Sequence, residues 1–241
     1  MLSKEQLGLQ LRDLGIGECR LLMVHASLRR LGPVAGGADG LLDGLMAALG
    51  SDGTLVMPMG ADDSSPIDYR TTLADGELGV LVEIFRQRHG TRVNDHAAAR
   101  FGASGPLANV ILEPVPLHNY YGEGSPLSRF ANHGGWVLRL AADIDTVTLT
   151  HWAEYLADLP QKRSVRRRYL RADIGEQWIE SLDDTDGIAD WSGGDYFSQI
   201  LIDFLAEGKV RCGPVGKCQA ELFSAAEFVP FAVHWLERNI R

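Results

Sequence analysis

Between residues 20 and 58 the chain passes from an apolar strand through a glycine-rich turn and a helix to a second apolar strand. This order of elements constrains the fold more than any other feature. Residues 20–25 have the length and apolarity of a strand in the interior of a sheet, and residues 54–57 form a second such run. Between them, apolar residues recur at helical spacing from Leu41 to Leu49. Because a strand–helix–strand crossover joins parallel strands, the sequence predicts an α/β fold.

Helices and strands also follow one another along the rest of the chain. Near the N-terminus, Leu7, Leu11 and Leu14 form one helical stripe, and Ser3 and Gln6 have the spacing of a capping box. The pattern predicts further helices at 78–88, 151–160, 196–207 and from 224 onward, the last of them interrupted or kinked at Pro230. It predicts strands within 92–105 and at 136–140, 162–171 and 177–180. A rigid turn is predicted at 213–216. The strands at 162–171 and 177–180 are predicted to pair as a hairpin.

The chain has 241 residues without a break in composition, so we predict a single domain that spans residues 1–241. Its formal net charge of -9 disfavours nucleic acid as a partner, because phosphates would be repelled, and suits a cationic substrate. Acidity that serves only solubility is the other interpretation. The arginines of residues 163–171 then lie on an exposed strand rather than in a nucleic-acid patch.

The cysteines indicate the compartment. Cys19, Cys212 and Cys218 are scattered, without the spacing of a disulfide framework or of a zinc site, which is typical of a reducing cytoplasm. The N-terminal segment has the pattern of a folded helix and not of a signal peptide. Because no apolar run is long enough to cross a bilayer, we expect a cytoplasmic protein without a membrane partner.

His151 and Glu154 are the most informative pair of chemically active residues. His151 lies where a helix is predicted to begin, and Thr148 and Thr150 are candidate caps for that helix. The positive end of the helix dipole would lower the pKa of the imidazole and keep it neutral as a general base. Glu154 shares its helix face, and either steadies the histidine or points into a cleft as an anion. A histidine packed in the core is the alternative interpretation.

Two other regions have the features of binding sites. Gly36 and Gly37 open a helix directly after a strand, where free backbone N–H groups can hold a phosphate, although a tight turn that requires positive φ explains the glycines equally well. His25 and Ser27 lie at the carboxyl end of a strand, where α/β sheets commonly bind ligands. Residues 60–78 form a long acidic loop, and loops of this length are often functional.

Several segments of the chain, taken in order, resemble one known family. They are residues 22–28, 36–38, 53–58, 124–127, 148–154, 195–197 and 213–216. Each segment is modest by itself, but their order and spacing resemble the aminoglycoside 3-N-acetyltransferases, also called antibiotic N-acetyltransferases, over nearly the whole chain. The resemblance implies a single-domain layered α/β fold with a mixed central sheet. It also implies acetyl transfer from acetyl-CoA, as cosubstrate, to the 3-amino group of a deoxystreptamine ring, without a metal.

The resemblance implies a role for particular residues. His151 matches the catalytic histidine of the family, and the family's carboxylate downstream of the basic strand falls on Glu180 or Asp183, with Asp184 as a further candidate. The segments that match the coenzyme A site contain Ser27, Leu28, Arg29, Val34, Gly36, Gly37 and Ala38. We assign Asp62, Asp63, Tyr69 and Glu154 to capture of the cationic aminoglycoside. Residues 92–98 depart from the family pattern. A monomer or a homodimer is expected.

Three other functions remain open from the sequence. An acyltransferase of the same fold would bind coenzyme A and acetylate a different amine. A metal-dependent hydrolase would use His25, His96, His151 and Glu154, because a His-x-x-Glu pair on a helix can ligate a metal ion. A binding protein without enzymatic activity would sequester aminoglycosides.

Overall fold

The computed structural model describes residues 1–185 and 187–240. The helices are α1 (Lys4–Leu14), α2 (Leu28–Leu31), α3 (Gly37–Leu49), α4 (Val80–Gln87), α5 (Ala108–Ile111), α6 (Pro126–Asn132), α7 (Thr150–Leu156), α8 (Tyr196–Ala206) and α9 (Ala225–Asn239), with short 3₁₀ helices at Ile16–Glu18 and Gly76–Leu78. The strands are β1 (Leu21–Ala26), β2 (Thr54–Pro58), β3 (Arg92–Val93), β4 (Phe101–Ser104), β5 (Trp136–Leu140), β6 (Ser164–Arg171), β7 (Gly175–Leu182), β8 (Arg211–Val215) and β9 (Cys218–Ser224).

A seven-stranded mixed sheet forms the centre of the protein, with the strand order β3-β4-β2-β1-β5-β9-β8. Strand β1 pairs in parallel with both β2 and β5, which confirms the parallel crossover predicted from the sequence. The remaining pairs in this sheet are antiparallel. The carboxyl ends of β1, β2 and β5 therefore lie at the same edge of the sheet.

Both faces of this sheet are covered by helices. Leu21 and Met23 of β1 pack into one hydrophobic cluster, and Leu22 and Val24 pack into the other, because successive side chains of a strand point to opposite faces. Helices α1, α3 and α4 contribute to the second cluster, whereas α5 to α9 contribute to the first. This sandwich explains why β1 is apolar at nearly every position.

Most predicted elements are found in the structure. The N-terminal capping box is present, with Ser3 Oγ accepting from Gln6 N at 3.2 Å and Gln6 Oε1 accepting from Ser3 N at 3.1 Å. The turn predicted at residues 213–216 is wrong, because most of this segment belongs to β8, which pairs with β9. Pro230 does not restart the last helix, since it lies inside the continuous α9. Helix α7 ends at Leu156, earlier than predicted.

Strands β6 and β7 form the predicted hairpin as a separate two-stranded antiparallel sheet. Main-chain hydrogen bonds attach this hairpin to the acidic loop, with Ile67 N donating to Leu170 O at 2.7 Å. They also attach it to the segment before α6, with Asn119 N donating to Glu180 O at 3.0 Å. The hairpin thus brings distant parts of the chain together beside α7. Within residues 1–185 and 187–240, no helix has the length and apolarity needed to cross a membrane.

Candidate active site

Two clefts open near the carboxyl ends of the parallel strands. The first has a volume of about 480 Å³ and is lined by the end of β1, by residues 27–30, by the segment 76–82 and by residues after β5. The second has a volume of about 490 Å³ and contains His151 and Asp184 together with the start of α8. The position agrees with the general preference of ligands for the carboxyl ends of strands in α/β sheets.

His151 and Glu154 form a hydrogen-bonded pair on α7. The imidazole Nδ1 and Glu154 Oε2 are 2.8 Å apart, and the carboxylate is 1% exposed. With Nδ1–H donating to the carboxylate, the lone pair lies on Nε2. Among the described residues, Nε2 has no hydrogen-bond partner, and the side chain of His151 is 15% exposed in the second cleft. The pair therefore presents a basic nitrogen to that cleft.

Aromatic rings enclose the imidazole of His151. The ring of Tyr121 stacks on it with centroids 4.9 Å apart and planes inclined by 9°. The ring of Phe197 meets it edge-to-face at 5.1 Å. Together with the hydrogen bond to Glu154, these contacts restrict rotation of the imidazole.

The pKa of His151 differs from the sequence expectation. Burial of the imidazole lowers its pKa, but the hydrogen bond to Glu154 and the charges of Glu154 and Asp184 outweigh burial, so the pKa is raised. The predicted lowering of this pKa by the helix dipole is therefore wrong. The predicted caps are also wrong: Leu149 is the capping residue and provides no side-chain hydrogen bond, and the buried Thr150 Oγ1 has no partner among the described residues.

The contacts of Glu154 argue against the assigned role in substrate capture. One carboxylate oxygen, Oε2, accepts from His151, as described above. The other, Oε1, accepts from the hydroxyl of Tyr196 and from Ile188 N, the latter at 3.3 Å. Ile188 N also donates to the Tyr196 hydroxyl at 2.7 Å. Because these donors occupy both oxygens of a buried carboxylate, Glu154 faces the imidazole and not the cleft. Of the two orientations that the spacing allowed, the structure has the one that steadies the histidine.

Of the three carboxylates considered downstream of the basic strand, Asp184 lines the second cleft with His151, and neither Glu180 nor Asp183 does. Glu180 is 62% exposed on the outer face of the hairpin and pairs with Arg166 at 3.3 Å. Asp183 pairs with Arg167, also at 3.3 Å. The hairpin pattern could not identify Asp184, because β7 ends at residue 182 and the next residues follow no strand periodicity.

Asp184 is held by two neighbours. Its Oδ2 accepts from the hydroxyl of Tyr120 at 2.6 Å, and its Oδ1 pairs with Arg167. Arg167 also donates to the Tyr120 hydroxyl at 3.1 Å. The carboxylate is thereby fixed beside the cleft while part of its charge is balanced.

A single loop after β5 separates the two clefts. Asp143 and Thr146 line the first cleft, whereas Asp145 lines the second. The buried guanidinium of Arg139 holds this loop, donating to Asp143 O at 2.6 Å and to Thr146 O at 3.3 Å, and it also pairs with Glu221. The loop leads directly into α7, so the same backbone segment shapes both clefts and places His151.

The residues predicted for coenzyme A fall into two groups. Ser27, Leu28 and Arg29 line the first cleft. The others do not line it, namely Val34, Gly36, Gly37 and Ala38. Gly36 and Gly37 have φ of 80° and 61°, so the requirement for positive φ explains both glycines. The N–H of Gly37 donates to Val34 O at 2.9 Å and is occupied within the turn.

The residues predicted for aminoglycoside capture on the acidic loop lie outside both clefts. Asp62 and Asp63 are exposed, and Asp62 Oδ1 accepts from Ser64 N at 3.0 Å. The hydroxyl of Tyr69 accepts from Arg70 Nε at 2.7 Å. Asp63 is close enough to the hairpin that its charge adds to the effect of burial in raising the pKa of Tyr169.

Arg100 fixes the shape of the acidic loop. Its buried guanidinium donates to the carbonyls of Tyr69, Thr72 and Leu73 at 2.9, 2.6 and 3.0 Å, and to that of Gly60 at 3.3 Å. Burial of the guanidinium lowers its pKa to about 10. A buried arginine that binds backbone carbonyls was not anticipated from the sequence, where Arg100 is an isolated charge.

The histidines proposed for a metal site do not converge. His25 is buried opposite Arg139 on β5, and burial together with that cation lowers its pKa to about 3. His96 Nδ1 accepts from Ala99 N at 2.8 Å. Within the described parts of the chain, no group of three or more His, Cys, Asp or Glu side chains could hold a metal ion. The geometry thus does not support the hydrolase alternative, which requires His25, His96 and His151 to meet.

Comparison with known proteins agrees with the family resemblance found in the sequence. Residues 23–237 match the family model described as aminoglycoside 3-N-acetyltransferase. Aminoglycoside N(3)-acetyltransferase III of Serratia marcescens is 35% identical over an alignment of 261 positions, which covers 98% of this chain and 97% of the relative.

Two solved structures also match over almost their full length. AAC-IIIb in a binary complex with CoASH superimposes with a TM-score of 0.94 and 33% identity, covering 99% of this chain and 97% of the other. AAC-VIa bound to sisomicin superimposes with a TM-score of 0.90 and 32% identity, covering 98% and 97%. The chain therefore belongs to the aminoglycoside 3-N-acetyltransferase family.

Proposed function

We propose that the protein transfers an acetyl group from acetyl-CoA to the 3-amino group of the 2-deoxystreptamine ring of aminoglycoside antibiotics and so confers resistance to them. The observation that carries this proposal is the His151–Glu154 pair, which presents an unpaired imidazole nitrogen to one cleft while a second cleft lies across a single loop. The relatives support the two substrates, since AAC-IIIb is described with CoASH and AAC-VIa with sisomicin.

His151 acts as the general base in this proposal. Glu154 fixes the tautomer with hydrogen on Nδ1, so Nε2 accepts a proton from the substrate amine as the nitrogen attacks the thioester carbon. The negative charge of Glu154 stabilises the imidazolium that forms. The raised pKa makes the imidazole a stronger base than an isolated histidine.

The second half of the reaction uses the same imidazole. As the carbon–nitrogen bond forms, the carbon–sulfur bond breaks, and the pair of electrons leaves with the coenzyme A sulfur. The proton held on His151 Nε2 then moves to that thiolate. The products are the amide and the free thiol, and no covalent intermediate with the enzyme is required.

The first cleft is the proposed site of acetyl-CoA. Arg29 and Arg30 lie on its border, and Arg30 pairs with Asp143 at 2.6 Å. The exposed side chain of Arg29 has no hydrogen bond or ion pair within the described part of the chain, so it is available to a phosphate. Ser27 and Leu28 would contact the pantetheine chain. The turn that contains Val34, Gly36, Gly37 and Ala38 would serve only a part of the coenzyme that extends beyond this cleft.

The second cleft is the proposed site of the aminoglycoside. Three carboxylates line it, those of Asp145, Asp184 and Asp195, and such a group suits a polycation. Asp62 and Asp63 on the acidic loop would attract the polycation from outside this cleft, and Tyr69 lies on the same loop. Capture of the substrate is thereby separated from Glu154, which serves the imidazole.

A thiol-release assay tests this function. The purified protein is mixed with acetyl-CoA and a panel of aminoglycosides that do or do not carry a free 3-amino group, and release of coenzyme A thiol is followed. His151→Ala should lower kcat by about a hundred- to ten-thousandfold and leave coenzyme A binding nearly intact. Thiol release with aminoglycosides that lack a free 3-amino group would refute the assignment of acetylation to that group. Binding of coenzyme A without turnover on the whole panel would instead indicate an acyltransferase for a different amine.

The setting of the reaction follows from its substrates. Acetyl-CoA is a cytoplasmic metabolite, so we expect the protein to act in the cytoplasm. We also propose that residues 1–241 act as a single domain, because the two hydrophobic clusters share one central sheet. Either a monomer or a homodimer is compatible with this proposal.

A further inference from the structure

Tyr121 covers one face of the general base. The phenol and imidazole planes are inclined by only 9°, with 4.9 Å between centroids, so the two rings lie in an offset stack. The electron-rich face of the phenol is thus directed at the ring that becomes positively charged during the proposed reaction. An aromatic face attracts a cation placed over it, and the attraction is larger where water is excluded.

The position of Tyr121 is fixed by its surroundings. Its ring makes edge-to-face contacts with Tyr120 at 4.9 Å and with Phe101 at 6.3 Å. The short segment that carries it is anchored by Asn119 N, which donates to Glu180 O, and by the bond of the Tyr120 hydroxyl to Asp184. Tyr121 is therefore held against His151 by its own ring contacts and by the two anchored residues that precede it in the chain.

Other groups around His151 also act on its charge. Glu154 on α7 and Asp184 after β7 favour the imidazolium. Asp145 on the preceding loop and Asp195 at the start of α8 line the same cleft. Arg167 pairs with Asp184. The hydroxyl of Tyr196 donates to Glu154. None of these groups stacks on the face of the imidazole that Tyr121 covers.

We propose that Tyr121 is a positioning residue that holds the plane of the His151 imidazole and stabilises its protonated form through the face of the phenol ring. The role of this stabilisation in acetyl transfer rests on the proposed function. The stacking itself is a property of the free protein. The phenol hydroxyl is not needed for this effect, so phenylalanine should replace tyrosine without loss of the interaction.

The test is the titration of His151 in the free protein, followed by NMR of histidine-labelled samples, with His151→Ala used to assign the signal. Tyr121→Leu removes the ring face, and we expect the pKa of His151 to fall by about half a unit to one unit. Tyr121→Phe keeps the face and should retain the wild-type value. Pentafluorophenylalanine at position 121 keeps the shape of the ring but reverses its quadrupole, and it should lower the pKa below that of the Tyr121→Phe protein.

The fluorinated ring keeps the proposal testable if the leucine variant does not fold, because it retains a planar aromatic ring at this position. An unchanged titration with the fluorinated ring would overturn the proposal. So would a fall in pKa in Tyr121→Phe as large as in the fluorinated protein, since the hydroxyl and not the face would then be responsible. Because no substrate is present, failure of the proposed function would leave these outcomes unaffected. In the active enzyme, the acid limb of the kcat/KM profile should move with the measured pKa.

Discussion

Replacing Glu154 by glutamine should inactivate the enzyme although the substitution preserves size and every local hydrogen bond. The carboxylate oxygen Oε1 accepts from both the Tyr196 hydroxyl and Ile188 N. In Glu154→Gln, the amide oxygen has to occupy this position, because an NH₂ group there would face two donors. The NH₂ group is then directed at His151 Nδ1, which becomes an acceptor. The imidazole hydrogen moves to Nε2, and the nitrogen that faces the cleft loses its lone pair.

The size of the effect follows from the tautomer. A comparable aspartate-to-asparagine change beside a catalytic histidine in serine proteases lowers kcat by about ten-thousandfold with the geometry intact. The loss here should reach about a thousand- to ten-thousandfold, because the wrong tautomer and the missing charge act together. The fold should remain stable, since every donor around residue 154 keeps a partner.

Two measurements check this reasoning. The thiol-release assay gives kcat, and the ¹⁵N chemical shifts of His151 report which nitrogen carries the proton. Adding Tyr196→Phe to Glu154→Gln removes one of the donors that orient the amide, so the double variant should recover part of the Nδ1–H tautomer and part of the lost activity. A loss of less than about tenfold in Glu154→Gln would refute the tautomer argument. An unchanged ¹⁵N pattern in that variant would refute it independently of activity.

Three further outcomes follow from the contacts described above. Because the folded-state pKa of His151 is raised above 6.5, kcat/KM should rise with pH through a midpoint above that value. The stability that the imidazolium contributes should be lost as the pH rises through the same folded-state pKa, and urea denaturation at a series of pH values measures this loss. Added salt should raise the KM of the aminoglycoside, which a flat series from low to high ionic strength would contradict. Arg100→Met should lower the free energy of unfolding by about 3 kcal/mol or more, because backbone carbonyls lose their donor, and should raise the same KM with little change in kcat.

The sequence predicted the central part of the fold because its patterns are local. Apolar runs and a helical repeat identify β1, α3 and β2, and the crossover rule makes the two strands parallel, as found. The segment at residues 213–216 misled the prediction because glycine and proline usually mark turns. Pro214 is tolerated in β8 because this strand lies at the edge of the sheet, where an N–H is not required on the open side.

The candidate site was predicted less completely. His151 was identified by its position and by the family resemblance. The orientation of Glu154 depends on Tyr196 and Ile188, which lie far along the chain, so spacing on α7 alone allowed two roles. The stack on Tyr121 has no signal in the sequence, because residues 112–125 lack periodicity. Buried arginines such as Arg139 cannot be distinguished from surface arginines by composition, since their burial depends on carbonyls supplied by tertiary structure.

The order of the strands explains why both substrates would meet at His151. Strand β5 lies beside β1 in parallel, so the loop that leaves β5 emerges next to residues 27 and 28, which follow β1. A main-chain hydrogen bond joins the two segments, with Ser27 N donating to Leu140 O at 2.9 Å. The same loop runs directly into α7. Within residues 1–185 and 187–240, the loop that Arg139 holds therefore lies between a ligand bound at the end of β1 and the imidazole. An insertion between residues 141 and 149 should consequently impair acetyl transfer more than the binding of either substrate alone, because it changes the distance between the clefts and leaves each lining largely in place.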